Sequence, residues 1–146
     1  KLVEYNARFG DPETQVMMMR MESDLLPLLH ATATGNLAGQ TVAWKDQFAL
    51  TVIMASRGYP AGYATGSEIG GADGIDSDNL RVFHAGTRRD GERLLAAGGR
   101  VLNVTALGKD VKEAQSRAYA GVDQIVWPEG FCRRDIGWRE IGRTDS

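Results

Sequence analysis

The sequence predicts an α+β fold in which an antiparallel, barrel-like sheet is covered by one long helix. Runs rich in β-branched and aromatic residues occur at 48–56, 80–84 and 100–105 and are separated by glycine-rich turns, a pattern typical of strands. A later segment, 110–125, instead repeats apolar residues every three to four positions, the period of a helix that packs on one side. We expect this sheet and helix to follow two helices and a strand.

The two N-terminal helices are predicted from their start and stop signals. Asp11 is expected to be the N-cap of the first helix, with Pro12 at the first helical position and Glu13 favourable to the helix dipole. The first helix should run for about two to three turns. A second helix is expected to begin at residue 23 or 24 and to end before Gly35.

The strands are predicted from composition and from the turns between them. Two strands are expected at Thr41–Trp44 and Phe48–Ser56, and two more at Leu80–His84 and Arg100–Thr105. Between the last two, Asp90-Gly91 is a hairpin signal.

The Gly- and Asp-rich segment 63–79 allows two interpretations, a loop that cradles a nucleotide or a plain surface connection. No strand-GxGxxG-helix or GxxxxGK[ST] context surrounds it, which favours the surface connection.

The long helix is predicted to begin at a capping-box-like pair, Asp110 and Glu113. Its apolar residues form a single stripe that should pack against the sheet: Val111, Ala114, Ala118, Val122 and Ile125. The tail after Glu140 is polar enough to fray.

The length, composition and charge of the chain limit the kinds of protein to which it can belong. A chain of 146 residues with 42% hydrophobic and 25% charged residues can bury one core. The formal net charge of -2 and the lack of a long apolar run lead us to expect neither nucleic acid nor a membrane as a partner. A lone cysteine, Cys132, and the lack of a signal-peptide pattern lead us to expect a cytoplasmic protein, although Lys1 is not Met and so leaves targeting open.

Hard oxygen ligands occur near the start of the chain. Glu4 and Asn6 lie two positions apart on an extended run and therefore share a face, which Arg8 also shares. Their oxygens suit Mg²⁺ bound with a nucleotide, and the Arg8 guanidinium suits a phosphate or carboxylate. The spacing alone is also compatible with an exposed edge strand.

The longer run EYNARFGDPETQ resembles the motif that closes the ATP-grasp domain of the phosphoribosylamine-glycine ligase family. Four further blocks resemble the C-terminal domain of that family and follow in its order: WKDQFALTVIMASRGYP, VFHAGT, GGRVLNVTALG and FCRRDIGWR. The resemblance covers essentially the whole chain. It implies that residues 1–36 are the end of an ATP-grasp domain and 37–146 the C-terminal domain, with the rest of the enzyme upstream of Lys1.

The resemblance implies an ATP-dependent ligase that joins glycine to 5-phosphoribosylamine through a glycyl phosphate, in purine biosynthesis. Glu4 and Asn6 would then hold Mg²⁺ or Mn²⁺, and Arg8 would lie near phosphate or the glycyl carboxylate. Asp11 and Glu13 would meet the substrate amine, although each also has a purely structural interpretation at the helix start. The implied partners are the three small substrates and the upstream domains, and the chain alone is expected to be inactive.

A second candidate site is Gly98-Gly99-Arg100 with Asn103, for which we expect a role in holding the 5-phosphate of the ribosyl substrate. Glycines let the backbone approach an anion, and Arg100 offers a fork of donors that matches phosphate oxygens. The resemblance to related ATP-grasp enzymes of the purine pathway supports this role. The alternative is a hairpin turn that leaves Arg100 in solvent.

Two other functions are also compatible with the sequence. Another ATP-grasp enzyme, of the ribotide or biotin carboxylase type, also carries an E-x-N-x-R run in its closing strand, but the following GDPE and the later RRDIGWR favour the ligase. The other possibility is a non-catalytic interaction module.

Overall fold

The structure is a computed structural model that describes residues 1, 3 and 7–144. The predicted metal ligands Glu4 and Asn6, and with them most of the strand predicted at the start, lie outside the described residues. The described elements are, in chain order, α1 (Glu13–Arg20), α2 (Leu25–Ala33), β1 (Phe48–Ser56), β2 (Glu68–Ile69), β3 (Leu80–His84), β4 (Thr87–Asp90), β5 (Arg93–Ala96), β6 (Arg100–Gly108), α3 (Val111–Val122), β7 (Gly130–Phe131) and α4 (Trp138–Thr144).

The strands form two antiparallel sheets, which confirms the α+β class. The larger sheet has the order β3-β6-β1-β7, and the smaller has the order β2-β5-β4. β6 and β1 are the two inner strands of the larger sheet. They pair from Phe48↔Gly108 to Ala55↔Arg100, with a register shift between Met54 and Ala55. The shift lies beside Arg100, at the end of the sheet where the candidate phosphate residues are found.

The larger sheet carries one helix on each face. On one face α3 covers a core that includes Leu102 and Val104, and Gly121 lets the helix come close, because a Cβ there would meet Val104 and Leu80. On the opposite face α1 packs against β1 and β6. The alternation of side chains along β6 therefore sends Leu102 and Val104 toward α3 and Asn103 toward α1.

The long helix and the hairpin are confirmed. Asp110 is the N-cap of α3 and accepts a hydrogen bond from the Glu113 backbone N–H at 2.7 Å, while the Glu113 carboxylate accepts from the Lys109 N–H rather than from the cap residue itself. The predicted stripe is buried at four positions and partly buried at the fifth: Ala114, Ala118, Val122 and Ile125, and then Val111. The helix is shorter than the stripe, because α3 ends at Val122 and Ile125 lies beyond it. The hairpin turns at Asp90-Gly91, with Gly91 at a φ of 62°.

The start of α1 differs from the prediction. The N-cap is Pro12, without a side-chain cap, so Asp11 is not the cap and Pro12 is not the first helical residue. The Asp11 carboxylate instead forms an ion pair with Arg100, a partner distant in sequence that local helix signals do not reveal. The eight residues of α1 make about two turns, the short end of the expected two to three. The second helix is expected to begin at residue 23 or 24; α2 begins at Leu25, with Asp24 as its N-cap, and ends before Gly35 as expected.

The predicted strand Thr41–Trp44 is wrong. Trp44 makes an isolated bridge to Met21, and the segment bonds to the end of α1 rather than to a sheet. The Ala43 carbonyl accepts from the Glu22 N–H at 3.0 Å, and the Ala43 N–H donates to the Ser23 hydroxyl at 2.7 Å. These local partners satisfy the backbone groups that a neighbouring strand would otherwise have bound.

Three smaller features also differ. The 63–79 connection contains the short strand β2, β6 continues past the predicted end to Gly108, and the tail is helical to Thr144. No helix in the described part of the chain combines the length and the apolar character needed to cross a membrane.

Candidate active-site groove

A groove of about 420 Å³ opens where α1 begins, beside the end of β1 and the start of β6. We call it the Arg100 groove. Its lining comes from the residue before α1, from β1, from the loop after β1, from the start of β6, and from β7 and the segment after it. The lining residues are Pro12, Thr51, Ile53, Ala55, Tyr59, Arg100, Phe131, Cys132, Arg133 and Ile136. The groove therefore joins four of the five sequence blocks that carry the family resemblance.

Arg100 and Asp11 meet at this groove. The Arg100 Nη2 lies 3.0 Å from the Asp11 Oδ2, and about a third of each side chain is exposed. The Arg100 Nε and Nη1 form no hydrogen bond with another described residue. A guanidinium carries five N–H donors in a planar fork, so donors remain for an anion in the groove.

The opposite wall is held by Arg133 and Asp135. The Arg133 Nε and Nη2 donate to the two carboxylate oxygens of Asp135 at 2.9 and 2.7 Å, and this hydrogen bonding lowers the pKa of the Asp135 carboxyl below its usual value. The Tyr119 hydroxyl accepts from the Ile136 N–H at 3.0 Å and donates to the Arg133 carbonyl at 2.8 Å. The Tyr119 contacts tie this wall to α3. Asp135 occupies two nitrogens of Arg133, whereas the Asp11 ion pair is made through one nitrogen of Arg100, so Arg100 keeps more donors for an anion.

The glycines before Arg100 serve close packing. A Cβ on Gly99 would overlap the Tyr59 ring, and a Cβ on Gly98 would press on the Gly86 backbone. Neither glycine has a positive φ, and their carbonyls accept from Ser56, whose hydroxyl and N–H donate at 2.7 and 2.8 Å. The glycines thus leave room for Tyr59 and for the Gly86 backbone beside the start of β6. From the sequence alone we expect them instead to form a backbone nest for an anion.

Asn103 does not line the groove. Its side chain is fully buried, and it lies under α1 at the level of Ile53, its partner on β1. The predicted contact with a substrate phosphate therefore finds no open surface at Asn103.

Of the three residues predicted near the reacting groups, only Asp11 lies beside the groove lining. Arg8 is exposed and donates to the Phe9 carbonyl at 2.8 Å. Glu13 is exposed in the first turn of α1, and its carboxylate folds over Gly10. The structure thus brings together Asp11 and Arg100 and leaves Arg8 and Glu13 outside the groove.

Tyr59, Cys132 and Arg133 were missed as candidate residues. They lie in the blocks ASRGYP and FCRRDIGWR, which the resemblance singled out without giving any residue a role. Their presence in those blocks was the one available signal. Burial raises the pKa of the Cys132 thiol.

The described residues hold no group of three or more His, Cys, Asp or Glu side chains that could bind a metal. The predicted Mg²⁺ ligands, Glu4 and Asn6, lie outside the described part.

Comparison with known proteins gives a family match over most of the chain. Residues 49–139 match the family described as phosphoribosylglycinamide synthetase, C domain. Curated relatives called phosphoribosylamine--glycine ligase are 57% identical in Mesorhizobium japonicum, over 98% of this chain and 34% of that protein, and 51% identical in Escherichia coli, over 100% and 34%. The relative from Arabidopsis thaliana, a chloroplastic ligase, is 52% identical over 97% of this chain and 27% of its own length.

A solved structure agrees with these sequences. The crystal structure of phosphoribosylamine--glycine ligase from Thermotoga maritima matches with a TM-score of 0.71 and 31% identity, over 92% of this chain and 32% of that one. The chain thus spans about a third of the length of the relatives that it matches. From the match over residues 49–139, the chain belongs to the family of phosphoribosylglycinamide synthetase C domains.

Proposed function

We propose that this chain is the C-terminal part of a phosphoribosylamine-glycine ligase, and that the Arg100 groove holds the phosphate of 5-phosphoribosylamine. The observation that carries the proposal is the meeting of Asp11 and Arg100. Asp11 belongs to the block that resembles the end of the ATP-grasp domain, and Arg100 belongs to the C-domain block. The groove thus lies where these two blocks of the chain meet.

Arg100 is suited to a phosphate. A guanidinium is a planar fork of donors that matches phosphate oxygens; that of Arg100 is partly exposed, and its ion pair with Asp11 is made through Nη2. A ribose 5-phosphate approaching the groove would find the remaining N–H donors of the fork, with Tyr59 and Thr51 as further polar groups in the lining. The Asp11 carboxylate beside it could in turn accept a hydrogen bond from the substrate amine.

The ligation proposed here forms an amide between glycine and the amine, with ATP converted to ADP and phosphate. Mg²⁺ or Mn²⁺ would neutralise charge on the ATP phosphates, and Glu4 and Asn6 are the residues whose oxygens would hold it. Arg8 would then contribute a cation near the transferred group, as predicted from its position two residues after Asn6.

ATP itself would bind mainly to an ATP-grasp domain outside these 146 residues. We expect the chain alone to lack ligase activity, because the groups that would hold adenine and most of the ATP phosphates would belong to that domain. Single-cysteine composition supports a location in the reducing cytoplasm.

The direct test is release of ADP by the intact protein that carries this chain. Release should require ATP, glycine, 5-phosphoribosylamine and Mg²⁺ or Mn²⁺ together, and the purified 146-residue chain should show none. A Glu4→Gln change should raise the Mg²⁺ concentration needed for half-maximal rate, whereas Glu22→Gln, on an exposed residue, should not. Intact protein that releases ADP without 5-phosphoribosylamine would overturn the proposal.

A further inference from the structure

The interface between α1 and the larger sheet buries polar atoms that have no hydrogen-bond partner in the described chain. They are Asp11 Oδ1, Gln15 Oε1 and both amide atoms of Asn103, with Arg20 Nε as a fifth at the far end of the helix. Buried amide groups in native proteins are nearly always hydrogen-bonded, because an unpaired one loses its contacts with water without compensation. Three amide atoms and one carboxylate oxygen near the start of α1 and on β6 therefore each need a partner.

The strand register places Asn103 in the middle of this interface. Asn103 pairs with Ile53 on β1, and both point away from the α3 face, toward α1. The next residue on the same face, Thr105, has a partner, since its hydroxyl lies 2.7 Å from the Thr51 hydroxyl. Asn103 is fully buried and is the one amide on this stretch of β6.

The position of α1 brings Gln15 to the same level. Pro12 lines the Arg100 groove together with Ile53, while Arg20 lines a second pocket together with Ala49. α1 thus runs antiparallel to β1, from the level of Ile53 to that of Ala49. Gln15 lies about one turn after Pro12, and because helical side chains lean back toward the helix N-terminus, its long side chain is within reach of Asn103.

The unpartnered atoms are chemically complementary. The Asn103 Nδ2 is a donor, and the oxygens of Gln15 and Asp11 are acceptors that could be joined across one buried water molecule, which needs two to four polar partners. Asp11 is also the residue that contacts Arg100. A hydrogen-bonded network here would hold the start of α1 on the sheet and would hold Arg100 in the groove.

We propose that Asn103 is a positioning residue: through a buried water shared with Gln15 and Asp11, it fixes Asp11 and thereby orients the Arg100 guanidinium for phosphate. The proposal rests on the proposed function in one respect, that Arg100 binds the phosphate. It replaces direct contact between Asn103 and substrate by action through Asp11.

The test uses the 146-residue chain with inorganic phosphate as the probe. Asn103→Leu keeps the shape of the side chain and removes the amide, and Thr105→Val is the matched control on the same face of the same strand. In Asn103→Leu the NMR signal of the Arg100 Nε–H should move, and the dissociation constant for phosphate should rise about tenfold. Thr105→Val should lower stability and leave both readouts unchanged.

A second variant keeps the test decisive if Asn103→Leu does not fold. Gln15→Met, on the partly exposed helix, should produce the same change at Arg100, and its effect on stability should be non-additive with that of Asn103→Leu. If phosphate does not bind to the unaltered chain, the proposed role of the groove is wrong. The NMR signal of the Arg100 Nε–H and the non-additive stability effects of the Gln15 and Asn103 variants still test the hydrogen-bonded network in that case. Additive effects with an unmoved Arg100 signal would overturn the positioning role.

Discussion

The Arg100 guanidinium, at the first residue of β6, lies 3.0 Å from the Asp11 carboxylate, two residues before α1 begins. This ion pair joins the segment before α1 to the start of β6, an inner strand of the larger sheet, beside the groove. It makes the position of Arg100 depend on where α1 begins.

The ion pair should contribute little to stability. Both side chains are about a third exposed, and solvent screens such pairs, so Asp11→Ala or Arg100→Ala should lower the free energy of unfolding by less than about 1 kcal/mol. Urea denaturation of the 146-residue chain measures this. A loss of several kcal/mol would contradict this and show that the ion pair holds the fold together. A change in the kinetics of these variants could then come from unfolding rather than from substrate binding.

The apolar stripe of α3 should be structural. Ala118 is fully buried in the main core, so Ala118→Asp would bury an unpaired carboxylate and should cost more than about 4 kcal/mol, enough to unfold a domain of this size. Ala120→Asp is the matched control, because Ala120 is exposed on the same helix. Circular dichroism should show that the Ala120→Asp variant is folded and the Ala118→Asp variant is not. A folded Ala118→Asp protein would contradict the packing of α3.

The Cys132 thiol should react slowly. Burial raises its pKa, and only the thiolate is alkylated, so the pH midpoint of its reaction with iodoacetamide should lie above that of the same chain in urea. By linkage, the neutral thiol contributes stability that is present below the unfolded pKa and is lost as the pH rises through the folded pKa. Equal midpoints in the folded and unfolded chain would contradict the burial of Cys132.

Local patterns in the sequence predicted much of the fold. The period of the stripe from Val111 to Ile125 predicted α3, and Asp90-Gly91 predicted the hairpin. Both patterns depend only on residues that are close together in the sequence. Thr41–Trp44 has strand composition but bonds to the end of α1, since tertiary partners override β-propensity.

The site was predictable in part. Arg100 could be singled out from Gly98-Gly99-Arg100, but its pairing with Asp11 depends on a contact between distant segments. Asn103 could not be placed from the sequence for a different reason. Its polar side chain suggests contact with a ligand, but the face of the sheet on which it lies depends on the pairing of β6 with β1, where Asn103 is opposite Ile53. Register and the placement of α1 are tertiary properties that a single sequence does not encode locally.

Steady-state kinetics of the intact protein with Arg100→Ala tests the central claim most directly. We expect the apparent KM for 5-phosphoribosylamine to rise by a factor of about 10 to 150, the loss of a hydrogen bond to a charged group, with the KM for ATP and glycine near normal. Arg93→Ala, which removes an exposed arginine that also pairs with a carboxylate, should leave all three unchanged. An Arg100→Ala protein that binds 5-phosphoribosylamine as well as the unaltered protein would contradict the assignment of the groove to its phosphate.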